Sequence, residues 1–141
     1  MTPAICHQCL ERIRDLLPVD SVTCLDALAR HLNGSVSLED LQKARVVAWE
    51  SAQDPRTEGA AWFRGHTYLA ASAIAYGISY AISCRPGTAR VALWDARGAR
   101  ARSICGDASE SGWTLAAYMA EHNRERDAQV EVLRSANKAT A

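Results

Sequence analysis

Neither sign of charge is in excess: 16 Lys+Arg residues stand against 16 Asp+Glu residues in a chain of 141, a formal net charge of zero. That excludes a chain binding polyanions over its whole surface, because such binding rests on a net basic field. Lysine is nearly missing, with two residues against fourteen arginines. No stretch alternates apolar and polar residues with a period of two between turn residues, so no sheet is expected. The N-terminus, MTPAICHQC, has no basic segment leading into an apolar one. No secretory signal is read there, and the cytoplasm is the expected compartment. Five cysteines are an odd number without the spacing of a secreted disulfide scaffold, which suits free thiols in a reducing environment. Nor does any run read as a membrane span. Residues 67–84 are eighteen uncharged positions, but Ala, Ser and Tyr are interleaved with just Leu69, Ile74, Ile78 and Ile82. That is too weakly apolar to insert into a bilayer.

What is present is alanine at 26 positions and a series of helix signals. Alanine has the best helix propensity and lets helices approach closely. Thr2 and Pro3 open a first helix whose apolar residues Ile5, Cys6, Cys9, Leu10, Ile13, Leu16 and Leu17 follow a 3.6-residue period up to Pro18. Asp20 or Ser21 caps a second helix that stops at Asn33-Gly34. Ser37, with Asp40 three residues on, caps a third that breaks at Asp54-Pro55. A fourth runs from about Ala60 to Cys84, and its uncharged circumference demands burial on all sides. Arg85-Pro86-Gly87 forms a turn, Thr88 caps a fifth helix, and Gly106-Asp107 closes it. A sixth starts at Ser109 or Ser111, passes Trp113 and becomes a charged stretch to Leu133, with fraying expected from Ser135. The expectation is an all-α fold: residues 1–141 as one compact bundle of about six helices around a central Ala/Ser/Gly-rich helix.

Few side chains group into chemistry. Cys6 and Cys9 form a CxxC, yet no second ligand pair follows. Cys24 and His31 do not have a zinc spacing, so the cysteines read as small hydrophobes on an apolar face. His66 lies near the start of the central helix without a recognisable nucleophile, and His7, His31 and His122 fall on different helices. No motif names a reaction, and no metal or cofactor is expected. Arginines are the better lead. Between positions 85 and 102 lie Arg85, Arg90, Arg97, Arg100 and Arg102 against Asp95 alone. Arg90, Trp94 and Arg97 share one stripe at i, i+4 and i+7, and Arg and Trp are the residues most enriched in interface hot spots. Arg100 falls on the apolar face instead, which calls for a carboxylate partner.

The stretch ALARHLNGSVSLEDLQKARVVAWESA resembles the alanine-rich helical domains of immunity-protein type found in bacteria and their phages. The matching residues are Gly34, Ser37, Leu38, Leu41, Ala44, Arg45, Ala48 and Trp49, and RERDAQVEVL is similar to the charged last helix of that type. The departure is the arginine-bearing fifth helix. The resemblance implies a cofactor-free, non-catalytic protein that neutralises a partner macromolecule by occlusion, as immunity proteins, antitoxins and phage anti-defence inhibitors such as anti-CRISPR proteins do. The expected binding residues are Arg85, Arg90, Trp94, Arg97 and Arg102, and the expected partner is a protein. A binder of anions, nucleotides or nucleic acid using the same arginines is the alternative. A homodimer is compatible with either reading, and no membrane association is expected.

Overall fold

A computed structural model describes residues 1–53, 65–106 and 114–140. Among them are six α-helices and no strand: α1 (Pro3–Glu11), α2 (Val19–Leu32), α3 (Leu38–Gln53), α4 (His66–Ser83), α5 (Pro86–Cys105) and α6 (Leu115–Thr140). The expected break at Asp54-Pro55 and the expected starts at Ala60 and Ser109 or Ser111 lie outside the described residues. No helix among those described is long and apolar enough to cross a membrane.

The caps follow the chemistry of the sequence. The Ile5 amide donates to Thr2 Oγ1 (3.2 Å), and Pro3 occupies the first helical position, where its missing N–H removes no bond. At the end of α2 the Ser35 amide reaches the Arg30 carbonyl (2.8 Å) and the Gly34 amide the His31 carbonyl (3.0 Å), with Gly34 at φ +86°. That is a Schellman stop, and it needs a residue tolerant of the left-handed region. The Asp40 amide donates to Ser37 Oγ (3.1 Å). At α5 the pattern differs from expectation. Pro86 is itself the first helical residue and Arg85 the cap, so Thr88 lies inside the helix.

One helix end violates local preference. Cys84 closes α4 in the left-handed region, φ +54°, where a Cβ is unfavourable. Cys84→Gly should therefore stabilise the fold by about 1 kcal/mol. A rise in the urea midpoint at unchanged slope would show it, and an unchanged or lowered midpoint would contradict it.

The first helix is shorter than its apolar period suggests. It ends at Glu11, and a 3-10 turn at Arg14–Leu16 carries the chain to Pro18, with Ile13 fully buried. A long-range contact stabilises this ending: Arg100 Nη2 donates to the orphan carbonyl of Arg12 (2.6 Å) while the same guanidinium grips both oxygens of Asp15 (3.0 and 2.7 Å). The acid that Arg100 required is thus Asp15.

The centre of the bundle is α4. Ala70, Ala71, Ser72, Ala73, Ile74, Ala75, Gly77, Ile78 and Tyr80 are all buried on it, and it packs against α1, α2, α3 and α5. Its small residues allow that crowding: a Cβ added at Gly77 would run into the Leu10 side chain of α1. Trp49 of α3 meets Tyr76 of α4 edge to face, with centroids 4.8 Å apart. Helix α6 packs on α5 and α1 and stays helical to Thr140, beyond the expected limit at Ser135.

Candidate interaction face and the polar seam beneath it

The arginine-rich helix divides in two along its length. From Pro86 to Trp94 one side is open to solvent: Arg90, Val91 and Trp94 are exposed, with Val91 at 39% and Trp94 at 57%, and the cap residue Arg85 is exposed too. Beyond Trp94 the helix enters the bundle, and Ala96, Gly98, Ala99 and Ala101 are buried. No ion pair among the described residues neutralises Arg85 or Arg90. Asp95, the one acid of α5, does not help. Its carboxylate turns to α4, where Ser72 Oγ donates to it (2.8 Å), and burial raises its pKa above the ordinary carboxylate range, partly offset by that hydroxyl.

Two of the expected binding residues are committed elsewhere. Arg97 continues the stripe in register but is half-buried, because α6 covers that side of the helix. Its Nε donates to Gln129 Oε1 at 2.8 Å. Arg102 is also half-buried, with its guanidinium carbon 5.5 Å from the Tyr118 ring centre. The open face therefore consists of Arg90, Val91 and Trp94, with Arg85 exposed at the helix cap nine residues before the indole. Val91 was missed in the sequence, although a position three residues before an exposed Trp on a helix shares its side.

Beneath the face lies a polar seam that composition alone does not suggest. His122, Glu125 and Gln129 recur at i, i+3 and i+7 on α6, only 2%, 4% and 3% exposed. Glu125 secures α6 to the end of α1, and Gln129 and His122 secure it to α5. Glu125 takes both arms of Arg12 at the end of α1 (2.7 and 3.1 Å). Gln129 accepts from Arg97 and donates through Nε2 to the Leu93 carbonyl of α5 (3.3 Å). His122 lies under the indole of Trp94 with centroids 4.4 Å apart and planes at 61°, and Tyr118 sits 5.7 Å away on its own helix. Burial, then Arg97 and Arg126, depress the His122 pKa below its ordinary value. The signal in the sequence was the row Tyr118, His122, Glu125, Gln129, Val132, Ala136 at alternating spacings of four and three, an inward stripe filled with polar residues.

The remaining candidates have structural surroundings. Cys6 and Cys9 lie in the apolar core, where burial pushes their thiols up to about 12 and about 11, and burial raises Cys24 to about 11. His7 pairs with Glu11 (3.1 Å), and His31 Nδ1 contacts the Val36 carbonyl (2.9 Å). His66 is the first residue of α4. No group of three or more His, Cys, Asp or Glu that could hold a metal occurs among the described residues. Comparison of the chain with protein families, curated proteins and solved structures finds no match.

Proposed function

We propose that this chain is a small non-catalytic binding protein that neutralises a partner protein by occlusion, in the manner of immunity proteins and phage anti-defence inhibitors, and that it docks through the open half of α5. The observation that carries this reading is Trp94, a large aromatic 57% exposed on the same side of α5 as Val91 and Arg90, with Arg85 exposed at the helix cap and neither arginine holding a carboxylate partner among the described residues. An exposed indole with an arginine one turn away is what interface hot spots are made of. The partner's matching surface is an apolar pocket with an acidic rim, because Arg85 and Arg90 gain nothing from a neutral or basic one. The likeness of residues 27–52 and 124–133 to immunity-type domains supports the same class.

The test is a double substitution, Arg90→Ala with Trp94→Ala. Arg97 is left in place because its guanidinium holds α6. A partner captured from the native host by the parent chain should bind the variant at least ~2 kcal/mol more weakly, roughly 30-fold. The cost to folding should be about 1 kcal/mol, since Trp94 is 57% exposed and its ring contact among the described residues is with His122. A folded variant that binds as well as the parent refutes the face. Affinity that collapses steeply with added salt would point to a nucleic acid in place of a protein.

A further inference from the structure

His122 is a titratable group built into the underside of the docking face. It is 2% exposed, its Nε2 is buried without a hydrogen-bond partner among the described residues, and its ring is covered by Trp94. We propose that His122 is an acid-sensitive latch: the neutral imidazole seats Trp94 on α6, and the imidazolium expels it and dismantles the face. This rests on reading the open half of α5 as the docking surface, which it supplies with a regulator.

The charges around the ring decide the direction. Arg97 of α5 and Arg126 of α6 both act against the protonated form. The nearest buried carboxylate on the same helix, Glu125, already holds both arms of Arg12 from α1. Asp95 of α5 is turned to Ser72 of α4. The new proton therefore has no acceptor where Nε2 lies, and attraction to the Trp94 and Tyr118 rings is weaker than the cost of an unpaired buried cation. A depressed folded-state pKa means that the unfolded or opened state binds the proton more readily. The stabilising contribution of neutral His122 is complete above the ordinary value of 6.5 and is lost as pH falls from there through the folded-state value.

Two measurements on the intact chain test this. Ring-proton NMR follows His122 directly, and hydroxyl-radical labelling reads Trp94 apart from the other three tryptophans, because cleavage after Arg90 and Arg97 isolates it in VALWDAR. His122 should titrate below 6.5. Trp94 labelling should rise across that titration in the parent and stay constant in His122→Phe, which keeps a ring in place. Should that variant fail to fold, the parent alone suffices. Titration at or above the ordinary value, or constant Trp94 labelling through it, overturns the latch. Partner capture at neutral pH by Trp94→Ala separates the two ideas: full capture sinks the docking face whatever His122 does, and a rigid Trp94 with impaired capture sinks only the latch.

Discussion

Replacing Gly77 by leucine should cost the fold about 3 kcal/mol, the upper end of what overpacking does to a close-packed core. A Cβ at this position already meets Leu10, and Leu10 is 0% exposed, so its methyl group has nowhere to swing. The gain in helix propensity on leaving glycine, about 1 kcal/mol, is too small to reverse the sign. Relief should come from the other side of the contact. Leu10→Ala alone leaves a cavity and costs about 2–5 kcal/mol, but combined with Gly77→Leu it should cost clearly less than the two single effects added together. Denaturant melts of the four proteins measure this. If Gly77→Leu melts like the parent, α4 is not the crowded centre of the bundle.

The second large effect is expected at Arg12. Its guanidinium is 41% exposed, but the carboxylate it grips is 3% exposed, so Arg12→Met leaves Glu125 in the seam without its hydrogen-bonded cation, with Arg97 and Arg100 acting on it only through space. Removing one partner of a fully buried pair costs about 3–5 kcal/mol, and the half-exposed arginine lowers the expectation here to about 2–3 kcal/mol. Glu125→Leu in the same chain should restore much of the loss, because two apolar residues of similar size are close to neutral where one unpaired charge is not. A double variant no more stable than Arg12→Met alone would show that the pair acts through something other than charge compensation.

These two sites show what could be seen in the chain and what could not. The central helix was legible, since eighteen uncharged positions with small residues leave burial as the only outcome. Gly34 and Ser37 were legible for local reasons, a left-handed stop and a hydroxyl cap. The end of α1 was not. Ile13, Leu16 and Leu17 continue the helical period, and the carbonyl freed at the break is capped by Arg100, 88 positions away. Arg97 shares the helical stripe of Arg90 and Trp94, but the stripe alone does not say which part of it α6 covers. Glu125 looked like one more charge in a solvated helix, because its partner lies 113 positions away on α1. Periodicity reports which side of a helix faces inward. It does not report which polar residue will find a counterpart there.

The face itself is tested most directly by photo-crosslinking from single positions in the native host. A benzophenone side chain at Val91, beside Trp94 on α5, should capture one protein partner, and Arg90→Ala with Trp94→Ala should abolish that capture. The same group at Val46, 53% exposed on α3, should capture nothing specific. A partner crosslinked from Val46 and not from Val91 would contradict the assignment and move the interface to α3.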